Sequence, residues 1–88
     1  MTSKSVTVGS SVGLHARPAA VIAQAASAAS TPVTLSMAGG TPVDAGSALL
    51  IMTLGAKMGD TVEVASEDAE LVEKIAGLVE EDLDNQPA

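Results

Sequence analysis

One histidine and one arginine stand two positions apart in Gly13-Leu14-His15-Ala16-Arg17-Pro18-Ala19-Ala20, and neither type occurs elsewhere in the chain. There is no cysteine, tyrosine or tryptophan. His15 is therefore the side chain able to act as a nucleophile near neutral pH. Arg17 carries a planar fork of donors suited to phosphate or carboxylate. Pro18 is tolerated in a first helical turn, where the N–H it lacks would be unpaired anyway. The amides of Ala16 and Arg17 would then face an anion at a positive helix end. That end also disfavours the imidazolium and keeps the nucleophilic ring available. The pattern suits a phosphoryl group carried on His15 and held by Arg17 and by backbone N–H groups.

Other chemistry finds less support. A hydrolytic triad needs partners that are not near in sequence. A metal site needs more ligands than one histidine and scattered carboxylates provide, so we expect no metal and no cofactor. A group that receives and passes on phosphate fits better than an enzyme that turns over a substrate alone.

Seven elements must position these residues. Ser5 to Val8 alternates and reads as a strand. A glycine-bounded loop, Gly9 to Gly13, precedes the His-Arg pair. Ala19 to Ala29 is alanine-rich and reads as a helix, with Val21, Ile22 and Ala25 on its packed face and Ser30-Thr31-Pro32 at its end. Val33 to Met37 alternates, with Val33, Leu35 and Met37 inward and Thr34 and Ser36 outward. A turn at Ala38-Gly39-Gly40 and a return strand from Thr41 complete a hairpin, with Pro42 limiting its pairing. Ser47 caps a short helix, Ala48 to Leu54, that ends at Gly55. Thr61 to Ala65 is a strand with Val62 and Val64 inward. Ser66 reads as the cap of a last helix, with Glu67 and Asp68 in its first turn. Leu71, Val72, Ile75, Leu78, Val79 and Leu83 recur there at helical spacing, and Asp84 to Ala88 form a tail. The order β-α-β-β-α-β-α implies an α+β fold, a sheet with helices on one face.

The 88 residues suffice for one domain, residues 1–88, with about 60–65% of the unfolded surface buried. No aromatic residue is present, so the core must be aliphatic. Eleven acidic against four basic residues give a net charge of −7. Lys4, Arg17, Lys57 and Lys74 are too scattered for a nucleic-acid footprint, and no ring can stack on bases. Partners with positive surfaces are favoured. No signal peptide and no membrane-spanning stretch is read, so a cytoplasmic monomer with no membrane insertion is expected.

The string Gly13-Leu14-His15-Ala16-Arg17-Pro18-Ala19 closely resembles the active-site signature of HPr, the histidine-containing phosphocarrier of the bacterial sugar phosphotransferase system. Length, element order, the Ser47 helix start and the turn Leu54-Gly55-Ala56-Lys57-Met58-Gly59 extend the resemblance over nearly the whole chain. It implies an open-faced sandwich of four antiparallel strands under three helices. It implies that Enzyme I passes a phosphoryl group from phosphoenolpyruvate to Nδ1 of His15, and that IIA components of sugar permeases receive it. Arg17 matches the family's active-site arginine and Pro18 its first-turn proline. A regulatory carrier in a nitrogen-linked phosphotransfer chain would share this chemistry, and an interaction protein controlled at Ser47 is a further alternative.

Ser47 matches the serine that an HPr kinase phosphorylates in some members. Serine is also simply a favoured cap. Many kinase-regulated members carry a basic residue just before it; here Gly46 stands there, with Asp44 nearby. Val12 replaces a small polar residue common in relatives, leaving backbone groups and Arg17 to hold the phosphate. On the short helix, Leu50, Ile51 and Leu54 are expected in the core. Some of Ala48, Leu49 and Met52 are expected to remain exposed near His15, on a helix that the resemblance implies is part of the docking surface for Enzyme I and acceptors.

Overall fold

The computed structural model describes residues 2–9, 13–14 and 16–81. His15, Val12, Leu83 and the tail Asp84 to Ala88 lie outside the described residues, so the expectations placed on them concern sequence alone. The elements are β1 (Thr2–Thr7), α1 (Ala16–Ala28), β2 (Val33–Met37), β3 (Val43–Asp44), α2 (Ala48–Thr53), β4 (Thr61–Ser66) and α3 (Ala69–Glu80). The four strands form one antiparallel sheet in the order β1-β4-β2-β3. The expected β-α-β-β-α-β-α order and open-faced sandwich are both present.

Alternation along the strands sorts the two faces. Val6, Val62, Val64, Val33 and Leu35 are buried on the face beneath the helices. They pack there against Ile22, Ile51, Val72, Ile75 and Val79. Each such aliphatic side chain contributes about 1.5–3 kcal/mol on burial, and an all-aliphatic core must sum many of these. The other face carries Ser3, Ser5 and Thr7 beside Thr61, Glu63 and Ala65, with Thr34 and Ser36 beyond, as the register requires.

Several boundaries differ from the sequence reading, each for a local reason. Strand β1 begins at Thr2, not Ser5, because Thr2, Ser3 and Lys4 are paired with Ser66, Ala65 and Val64 of β4. Helix α1 begins at Ala16, since a first-turn proline lets a helix start before it. Pro42 falls outside β3, which is only Val43–Asp44. Ser36 lies on the outward face as expected, yet it is 6% exposed. Met37, expected inward, is only half-buried.

Ser66 is not the cap of α3. It is the last residue of β4 and is buried, with Oγ donating to the Pro32 carbonyl at 2.7 Å and accepting from the Asp68 amide at 3.2 Å. Asp68 is the cap, accepting from the amides of Glu70 and Leu71 at 3.0 and 3.4 Å. A serine two residues before an aspartate offers two cap candidates. Strand pairing takes the first and leaves the second. Among the described residues, no helix is long and apolar enough to cross a membrane.

Candidate functional site

The entry to α1 is held from both sides. Upstream, the Gly9 amide donates to the Val79 carbonyl near the end of α3 at 3.1 Å. A Cβ at Gly9 would lie 1.8 Å from the Glu80 carbonyl oxygen, so only glycine fits. Downstream, Gly13 has φ +75°, and a Cβ there would lie 2.3 Å from the Ala56 carbonyl oxygen. The next amide, that of Leu14, donates to the same carbonyl at 3.0 Å. The Leu14 side chain is buried in the core. The residue immediately before His15 is thus fixed by its backbone and its side chain.

The residues after His15 divide by face. Ala16 opens α1. Pro18 and Ala19 are fully buried and seat the first turn on the core. Arg17, between Ala16 and Pro18, is exposed. Among the described residues its guanidinium has no ion-pair or hydrogen-bond partner. The amides of Ala16 and Arg17 stand in the turn where intrahelical acceptors are lacking. The expected phosphate-holding groups, Arg17 and the two amides, therefore share one helix end. The geometry of His15 itself lies outside the described residues.

Helix α2 runs alongside. Its first end is tied to the late part of α1, where Ser27 Oγ donates to the Gly46 carbonyl at 3.0 Å. Its far end passes through Gly55, φ +67°, to Ala56, whose carbonyl meets Leu14. Ser47 caps α2 as expected, its Oγ accepting from the Leu50 amide at 3.3 Å. Ser47 thus sits by the late part of α1.

On α2 one core expectation, that for Leu50, needs correction. Ile51 is fully buried, while Ala48, Met52 and Leu54 are half-buried against the core. Leu50, expected in the core, is 40% exposed, beside Leu49 at 70%. Ala48, Ile51 and Met52 follow i, i+3, i+4 spacing and form the inward stripe, which leaves Leu49 and Leu50 outside. Applied strictly, that spacing would have found Leu50. Met58, in the turn after α2, is a third exposed large apolar residue. The sequence reading also missed what Gly9 and Gly13 do beyond bounding a loop.

Comparison with known proteins decides the family. The family model for the PTS HPr component phosphorylation site matches residues 2–81. The chain belongs to the HPr family. The phosphocarrier protein HPr of Streptomyces coelicolor is 44% identical over 91 residues, covering 99% of this chain and 97% of that one. The crystal structure of HPr-C-His from Thermoanaerobacter tengcongensis superposes with a TM-score of 0.85 at 29% identity, covering 99% and 100% of the two chains. That of a phosphocarrier protein HPr from Bacillus anthracis gives 0.81 at 31% identity, covering 89% and 95%. The resemblance read from the His-Arg motif is therefore correct. HPr proteins are phosphocarriers of the phosphotransferase system rather than catalysts, and they interact with its other components.

Proposed function

We propose that this chain, as one HPr-like domain, carries phosphate on His15 in the cytoplasm. Phospho-Enzyme I, charged from phosphoenolpyruvate, is the donor. IIA components of sugar permeases are the acceptors, so the carrier supports carbohydrate uptake. A lone pair of the neutral imidazole attacks phosphorus, and the bond to the donor breaks with its electron pair leaving on the donor. Passing the group to an acceptor repeats this step with His15 as the leaving group. Arg17 and the Ala16 and Arg17 amides stabilise the charge on the transferring oxygens.

What supports this reading most is the exposed Arg17 guanidinium on the first turn of α1, without a partner among the described residues, in a chain of the HPr family. Incubation with Enzyme I and phosphoenolpyruvate, followed by intact mass, tests it. One added, acid-labile phosphate is expected, lost in His15→Ala. An acid-stable phosphate, or none with a competent Enzyme I, would overturn it.

A further inference from the structure

The uncovered face of the sheet holds a side chain that the phosphocarrier reading does not use. Ser36 is 6% exposed although it points away from the helices. Among the described residues nothing hydrogen-bonds its hydroxyl. A buried hydroxyl without a partner is destabilising, so such a group asks for an explanation.

Ser36 lines a pocket of about 330 Å³ on that face. The strand register sets its floor. Glu63 of β4 lies directly across from Ser5 of β1 on one side and from Ser36 of β2 on the other. A carboxylate therefore stands between two serine hydroxyls in one row, with Thr61 adjoining. Ala38 and Pro42 add apolar wall. The turn at Gly39 and Gly40 closes one end, and neither glycine adds a side chain to obstruct it. Among the described residues Glu63 has no ion-pair partner. Among the described residues that line the pocket it is the single charged one.

We propose that this pocket binds a primary ammonium group on a short alkyl stem. An ammonium has three donors and no acceptor. The pocket offers it one carboxylate and the oxygens of two flanking serines. The stem lies against Ala38 and Pro42. An anion would meet the Glu63 charge, and a neutral alcohol would leave that charge without a counterion. The same chemistry is supplied by a free alkylamine or by a lysine side chain of a partner.

The test is a titration of the 15N-labelled full chain followed by amide NMR, with n-butylamine, N-acetyl-lysine methylamide and n-butanol as probes. Saturable shifts are expected for Ser5, Ser36, Gly39, Gly40 and Glu63 with at least one of the two amines and not with butanol. Glu63→Gln should weaken binding by about tenfold or more. Ser36→Ala should weaken it by a smaller factor. Tighter binding of the lysine derivative names a partner's lysine as the source, and tighter binding of butylamine names a free amine. Shifts that do not saturate, that spread over all acidic surfaces, or that persist in Glu63→Gln overturn the proposal. So does an absence of shifts with both amines.

Discussion

The amide of Leu14 donates to the carbonyl of Ala56 at 3.0 Å, joining the residue before His15 to the turn that ends α2. One bond thereby sets the start of α1 against the end of α2. The consequences can be measured at the residues around it.

Arg17→Ala should leave the fold intact, because the side chain is exposed and has no partner among the described residues. Loss of one donor to a transferring phosphoryl group costs on the order of 10²-fold in rate. Stopped-flow or quench transfer from phospho-Enzyme I checks this. Unchanged rates, with circular dichroism also unchanged, would remove Arg17 from its role.

Glycine positions should rank by what a side chain would meet. Gly39 has φ +76° and open space, so Gly39→Ala pays only the left-handed penalty of about 1–2 kcal/mol. Gly13→Ala pays that and a clash with the Ala56 carbonyl, and Gly9→Ala pushes against Glu80. Urea unfolding should place both below Gly39→Ala in stability. A Gly13→Ala protein as stable as Gly39→Ala would contradict the tight approach.

The start of α3 gives a second comparison. Asp68→Ala removes a helix cap and should cost about 1 kcal/mol. Ser66→Ala leaves the Pro32 carbonyl and the Asp68 amide without their partner in a buried place, at about 1–3 kcal/mol. Thermal unfolding of the two variants should show Ser66→Ala at least as damaged. The reverse order would restore Ser66 to a minor place.

On α2, stability and docking should separate. Ile51→Ala opens a hole in the core and should cost about 2–5 kcal/mol. Leu49→Ser and Leu50→Ser alter exposed positions and should change stability by less than about 1 kcal/mol. If this face meets Enzyme I, the serine variants raise the KM for the carrier while Tm holds. Equal KM values for wild type and both variants would exclude the face from docking.

Ser47 allows a modification test. Ser47→Ala should lose about 1 kcal/mol through the α2 cap. Incubation with an HPr kinase and ATP, followed by intact mass, reads whether the serine is an acceptor as well. An added acid-stable phosphate absent from Ser47→Ala would make Ser47 both cap and regulatory site. No added mass would leave it a cap.

The fold was legible because alternation and helical spacing are strong in this chain. Val33 to Met37, Val62 with Val64, and the Leu71 to Val79 stripe each state one period plainly. What local pattern missed was decided by partners distant in sequence. Thr2 to Lys4 look like an unstructured start until β4 pairs with them. Ser66 looks like a cap until β2 claims it as a strand residue. Ser36 looks like a solvent-facing serine until the turn at Gly39 and Gly40 rises beside it. At the candidate site, His15 and Arg17 were conspicuous by type. Leu50 was not, because a run of four apolar residues, Leu49 to Met52, hides which of them face out.

The two tethers of the entry loop also bear on when it can take shape during synthesis. Gly9 leaves the ribosome well before its partner Val79. Strand β1 likewise waits for β4. A nascent chain that has emerged only through Ala56 holds Arg17, Pro18 and the Ala56 carbonyl, yet lacks the strand and helix that fix the loop's other end. The carrier should therefore become competent late and all at once. A ribosome-stalled series would show phosphate acceptance appearing only after α3 has cleared the exit tunnel.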